Sequence, residues 1–192
     1  MRLKMLVDVI ILAIIVGIIR GGNILNLAKL PLKNLNLIFF SFVIRYIPFY
    51  LKGDLHLFAV KYNIFFVIIS YGLMLYALFS NFHLKPMLIC FLGIFLNAMV
   101  ILANKGKMPV SLKALEMAKL NDLLPLLFSE DYLYHTAANA WTKLILLGDI
   151  IPLPPPYPRP RVVSIGDILL GIGVFWLIQM GMLKKQYLSD KI

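Results

Sequence analysis

Long apolar runs, each closed by a short polar break, follow one another along the chain. Five are long enough to form membrane elements: about 5–19, 35–51, 62–79, 86–103 and 164–183. A helix needs roughly 17 to 25 mostly apolar residues to cross the hydrocarbon layer, because each residue rises about 1.5 Å. The runs are continuous and lack the strict alternation of a barrel strand, so helices are expected and sheet is not. Pro48, near the end of the second run, and Pro86, at the start of the fourth, sit where a helix tolerates proline best. The pattern predicts an all-α, polytopic integral membrane protein, a single membrane domain over 1–192 with about five transmembrane helices.

Between the fourth and fifth runs lies one long connection, 104–162, too polar to cross a membrane and too apolar to be disordered. Ser111 offers a helix cap, and Lys113, Glu116 and Lys119 recur at spacings of three, leaving Leu112, Leu115 and Met117 for an apolar surface. A short helix lying along the membrane interface is expected there. A second helix is expected over 134–147. Pro152, Pro154, Pro155, Pro156, Pro158 and Pro160 then predict an extended, stiff polyproline strap.

Composition agrees with the pattern. Of 192 residues, 61% are hydrophobic and 15% charged, and soluble chains carry about 45–50% and about 25%. The formal charge of +10 would suggest nucleic acid in a soluble protein. Here the basic residues sit mostly between apolar runs, so membrane lipid is the expected partner and nucleic acid is not. The single Cys90 excludes an intramolecular disulfide, and the scattered His56, His83 and His135 offer no zinc spacing; no metal and no cofactor are expected. Met1 to Lys4 give the first run the basic start of a signal peptide. No convincing cleavage site follows and Asp8 interrupts the run, so a retained first helix is expected. In the short segments, Arg20, Lys29, Lys33, Lys85, Lys184, Lys185 and Lys191 lie on one side, against Arg2, Lys4, Lys52 and Lys61 on the other. By the positive-inside rule the C-terminus is cytoplasmic and the long loop faces outward.

Ionisable groups within apolar runs are costly and need a partner or a purpose. Asp8 and Arg45 fall in the same half of the bilayer if the first two helices are antiparallel, which predicts a structural ion pair. The other reading places Asp8 in a polar cavity under the loop. Asn97 and Asn104, two helical turns apart, share a face, and helix-to-helix hydrogen bonding is the expected role of Asn97. Gly17 and Gly21 form a GxxxG, and Gly171 and Gly173 read as packing notches. The most specific feature is a repeat, Gly148-Asp149-Ile150-Ile151 and Gly166-Asp167-Ile168-Leu169. If the strap folds back, Asp149 and Asp167 meet, and two carboxylates sharing a site divide the roles of acid and base in hydrolysis. A structural reading stands beside it: Ser164 and Asp167 have capping-box spacing, and Asp149 can be a solvated loop carboxylate.

Asp8 in the first helix, Arg20-Gly-Gly, Asn104-Lys-Gly-Lys-Met-Pro-Val-Ser111, Leu147-Gly-Asp-Ile-Ile-Pro-Leu-Pro154 and Ser164-Ile-Gly-Asp167 together resemble an uncharacterised family of small bacterial integral membrane proteins, a domain of unknown function. The resemblance covers nearly the whole chain and implies the bacterial cytoplasmic membrane. A fainter one, within 104–183, is to the lipoprotein signal peptidases, intramembrane aspartyl proteases. Gly148-Asp149-Ile-Ile resembles the segment of their first catalytic aspartate, and Ser164-Ile-Gly-Asp167 that of the second. Asn139-Ala-Trp-Thr-Lys143-Leu is similar to their Asn-x-x-Asp-Arg-Leu, with Thr142 for Asp and Lys143 for Arg, and Asn104-Lys-Gly106 is similar to their Asn-x-Gly. That family has four spans, two of them between the last two segments, where this chain has only an interfacial stretch; its Asp-Gln-x-x-Lys pattern has no match here.

The expectation is therefore an aspartate-dependent, peptidase-like hydrolase. Asp149 and Asp167 would be catalytic, and Asn104, Asn139 and Lys143 would bind a membrane-inserted peptide or lipid-linked substrate. The alternative is a non-catalytic assembly partner or small transporter subunit in which the same residues cap helices.

Overall fold

The computed structural model describes residues 2–183, and the side chains of residues 5–183. Helices supply most of it: α1 (Arg2–Ile19), α2 (Leu35–Tyr50), α3 (Asp54–Lys61), α4 (Asn63–Phe79), α5 (Lys85–Ala103), the short α6 (Leu112–Met117) and α7 (Leu124–Phe128), and α8 (Ile165–Met182). The five apolar runs become α1, α2, α4, α5 and α8. Among the described residues α5 and α8 are long and apolar enough to cross a membrane, and α3 with α4, bent by 67° at their junction, passes as a third span. The apolar helices 5–19 and 35–50 are shorter. Sixteen residues of α2 reach only about 24 Å, against a hydrocarbon core of about 30 Å.

α1 packs on α8, α8 on α5, α5 on α4, and α4 on α2, so α1 and α2, neighbours in sequence, are the two ends of a curved row. Glycines set the closest crossing. A Cβ on Gly93 would lie 2.5 Å from the Gly166 carbonyl oxygen, one on Gly173 would lie 2.5 Å from Cys90 Sγ, and one on Gly166 would collide with Asn97. The GxxxG is split: Gly17 seats Met182, whereas Gly21 lies past the end of α1 with φ +78° and no neighbour.

The long connection folds into a cap over one end of the row. It departs from expectation in three places. Four short strands occur: β1 (Met108–Val110) pairs in parallel with β2 (His135–Ala137), and β3 (Ile151–Leu153) pairs antiparallel with β4 (Arg161–Val163). Residues 134–147 hold β2, an Asn139 turn and one 3₁₀ turn in place of a helix, since β1 offers His135–Ala137 a ladder that local propensity does not reveal. The prolines do not form an extended strap. Residues 154–160 turn the chain, with a cis Pro155–Pro156 bond, and β4 returns beside β3 with Ile151 opposite Val163.

α6 begins at the expected cap, Ser111 Oγ accepting from the Ala114 N–H at 3.3 Å. Its buried face is Ala114 and Leu115, packed with Val110, Leu127, Ala137 and Val162 into the cap's own small core, whereas Leu112 and Met117 are exposed. Pro109 fits within β1 because the side where an N–H is missing pairs only through its carbonyl, which accepts from Asp149 N at 2.9 Å. Lys184, Lys185 and Lys191, on which the orientation of the C-terminus partly rests, lie outside the described residues, as does Met1; the side chains of Arg2 and Lys4 are likewise not described.

Candidate functional site

The hairpin decides where the two Gly-Asp repeats go. With Ile151 opposite Val163, Asp149 stands two residues before the pair and Asp167 four residues after it, both at the hairpin's open end facing the helices. Each repeat glycine admits another element. A Cβ on Gly148 would lie 2.8 Å from the Pro109 carbonyl, and one on Gly166 would strike Asn97. Both aspartates are fully buried, at 1% and 2% exposure, so Asp149 is not a solvated loop carboxylate.

Asp149 bridges Val110, on the opposite edge of β1 from β2. This brings its Oδ2 to 3.5 Å from Nε2 of His135, whose Nδ1 is 3.2 Å from the Tyr132 hydroxyl. Tyr132, His135 and Asp149 thus form a chain of titratable groups. The Tyr132 hydroxyl is pushed up from its ordinary value, chiefly by burial and also by Tyr46 and Asp149, with Arg45 opposing. The hydroxyl therefore keeps its proton at neutral pH.

Asp167 closes the expected capping box: its N–H donates to Ser164 Oγ at 3.0 Å and its Oδ2 accepts from Ser164 N at 3.4 Å. Oδ1 accepts from Asn97 Nδ2 at 2.8 Å, and Ser164 Oγ donates to Asn97 Oδ1 at 2.8 Å. Asn97 therefore binds α5 to α8, as expected.

His135, Tyr132 and Asp167 line one cavity of about 160 Å³, to which α1, α2, α4, α5, α8 and the cap all contribute side chains. Arg45, Tyr46, Tyr134 and Asn97 line the same space toward the cap; Phe42, Met74, Ile94 and Leu170 line it away from the cap. Arg45 lies 4.6 Å over the Tyr134 ring and donates to Asn63 Oδ1 at 3.3 Å. Asn63 in turn donates to the carbonyls of Gly106 and Leu133 at 3.1 and 3.0 Å, fastening cap to bundle. The Tyr134 hydroxyl is pushed up to about 12, mainly by burial, with Arg45 opposing.

The expected Asp8–Arg45 pair is not formed. Asp8 instead receives Arg161 Nη2 at 2.7 Å, the Tyr157 hydroxyl at 2.9 Å and Arg159 Nη1 at 3.2 Å. Depth along two helices says nothing of position around the row, and α1 and α2 stand at its opposite ends. The folded-back hairpin supplies nearer cations. Asn104, Asn139 and Lys143 do not line the cavity. Asn104 clamps Lys143 through the backbone, donating to its carbonyl at 2.8 Å and accepting its N–H at 3.0 Å. Asn139 closes its own turn by accepting from Trp141 N at 2.9 Å.

His135, Tyr132 and Asn63 were not singled out as site residues in the sequence. The readable signal was Asn104-Lys-Gly-Lys-Met-Pro, a polar turn before an apolar triplet, which marks where a strand could receive His135. Among the described residues, no three His, Cys, Asp or Glu side chains gather closely enough to hold a metal ion.

No solved structure matches the chain. A Thermotoga maritima protein described only as uncharacterised is 31% identical over 171 residues, covering 89% of this chain and 88% of that one. The model of a family of unknown function, DUF5317, matches residues 29–179, and the chain belongs to that family.

Proposed function

We propose that this chain is a five-helix, multi-pass protein of the bacterial cytoplasmic membrane whose covered cavity hydrolyses a membrane-borne substrate. Support for five membrane helices comes from the apolar side chains left exposed on every one of them. Ile11 and Ile15 of α1, Phe39 and Phe40 of α2, Phe65 and Ile68 of α4, Leu92 and Phe95 of α5, and Ile168 and Ile172 of α8 are all at least 40% exposed. A belt of this extent around a soluble bundle would be an aggregation surface; in lipid it is the expected exterior. The shorter α1 and α2 are accommodated by tilt of neighbours, local thinning and snorkelling of flanking basic residues.

The observation that carries the chemistry is the convergence of two buried carboxylates on one cavity, Asp167 directly and Asp149 through His135. Asp167 takes a proton from a water that attacks the acyl carbon. Tyr132 gives a proton to the departing oxygen or nitrogen as its bond to that carbon breaks, and is reprotonated through His135 backed by Asp149. Arg45 and Asn97 hold the polar part of the substrate.

The test is hydrolysis of lipid acyl bonds and of membrane-inserted peptides by the purified protein in nanodiscs, read by mass spectrometry. Asp149→Asn and Asp167→Asn are each expected to lower turnover by about 10²–10⁴-fold, the range of a lost acid or base. Unchanged turnover in both, or none by the wild type on either substrate class, overturns the reading. The second reading, a non-catalytic assembly partner or transporter subunit, draws on the capping box. It predicts that Asp167→Asn lowers only the melting temperature.

A further inference from the structure

We infer that the cavity takes one hydrocarbon chain of a lipid, admitted sideways between α1 and α2, so that the bond it presents to Asp167 is the ester or amide joining that chain to its head group. The inference rests on the proposed hydrolysis and names its substrate class.

Three observations carry it. First, the helices form an open row, and its two ends, α1 with Leu6 and α2 with Phe42, both line the cavity. The other side cannot open easily, because α5 and α8 meet backbone to backbone at Gly93 and Gly166 and α1 meets α8 at Gly17. A route from the membrane therefore runs between the row's ends.

Second, the cavity is layered along the membrane normal. Arg45, Tyr134, His135 and Asp167 stand at the cap end. Met74 lies eleven residues into α4 and Ile94 nine residues before the end of α5, so a mainly apolar wall, broken by Ser41 and Ser70 whose hydroxyls donate to carbonyls of their own helices, reaches roughly 15 Å from the cap. Polar above and apolar to about mid-bilayer is the profile of a lipid entering head first at the interface.

Third, size selects the occupant. The cavity offers about 160 Å³. An apolar cavity of about 150 Å³ holds benzene, so this one holds about six carbons of a chain. A helix, about 10 Å across with its side chains, is wider than a benzene-sized space and would have to unwind to enter; an acyl chain would not.

The test uses the full-length protein in phosphatidylcholine nanodiscs carrying a phosphatidylcholine with a diazirine within the first six carbons of one acyl chain. Photolysis is followed by mass-spectrometric mapping. Adducts are expected on Phe42, Met74 and Leu170 as well as on the outer belt at Ile11, Phe39 and Phe65. Adducts confined to the belt overturn the inference. Ser70→Phe, which fills the cavity from α4, is expected to reduce interior adducts at least fivefold with the belt unchanged. Equal interior labelling in that variant also overturns it. The wild-type map decides alone should the filled variant fail to fold. Interior adducts with no lipid hydrolysis would sink the hydrolase reading and keep the chain site. Cleavage of inserted peptides with an unlabelled interior would sink the chain site and keep the hydrolase.

Discussion

At the cap end of the helical row stand eight of the nine acidic residues, all but Asp190, which lies outside the described residues. At the other end the loops 20–34 and 80–84 carry basic and amide side chains and no acid. The plainer end is closed by clamps built on amide side chains. Asn81 accepts from Lys33 N at 2.7 Å and donates to the carbonyls of Lys33 and Ala77 at 2.8 and 2.7 Å. Arg20 donates to Gln179 at 2.9 Å. The cap end is held through carboxylates, such as Asp8 with Arg161 and Asp167 with Asn97. Amide clamps need no titratable group, so the concentration of buried carboxylates, histidine and tyrosines at one end is more than closure requires. That excess is what the proposed hydrolysis draws on.

Substitutions that treat the ends alike should therefore have unlike results. The largest contrast is between glycines. Gly166→Val drives a side chain into Asn97 and the Gly93 backbone, and is expected to leave no folded protein by size-exclusion chromatography. Gly21→Ala meets open space and costs only about 1 kcal/mol for its positive φ, a small fall in melting temperature. Next is Arg161→Ala. It strands the Asp8 carboxylate beside a half-exposed Arg159 and is expected to cost about 3 kcal/mol, with turnover lost although Arg161 does not line the cavity. Intact turnover in that variant would show that the hairpin need not be pinned to α1.

Asn63→Ala and Asn81→Ala each remove buried amide bonds, at about 1–3 kcal/mol in either case. Only the first should impair turnover, because only Asn63 holds Arg45 and the cap; equal activity loss in both would erase the distinction between ends.

A smaller effect is the alkaline limb. Tyr134 titrates near 12 when folded and near 10 when unfolded. The unfolded chain thus loses its proton first, and stability falls as pH rises from about 10 to 12. Denaturation of Tyr134→Phe across that window should show a shallower fall. The smallest effect is expected for Arg159→Ala, whose exposed pair is worth about 0–1 kcal/mol.

The five apolar helices were legible nearly to the residue because each is a continuous apolar run, and a run needs no partner to declare itself. The Ser164 to Asp167 capping box was legible for the same reason, being complete within four residues. His135 was not. It is one residue of a three-residue strand, and only the ladder with Met108–Val110 and the bridge from Val110 to Asp149 place it against a carboxylate. Asn104, Asn139 and Lys143 drew notice through the resemblance of their segments to those of the peptidases, and the structure uses them to close turns. A turn and a binding site draw on the same side chains, and sequence alone does not tell where those side chains face.

The sequence by itself determined the extent of the apolar helices and the pair of Gly-Asp repeats, because hydropathy and short motifs act within a single segment. The tertiary structure decided the order of helices around the row, the partner of Asp8, the return of the proline segment as a hairpin and the meeting of Asp149 with His135. Each of these depends on backbone pairing and helix crossings between distant segments, and no local pattern encodes which distant surface a segment will find.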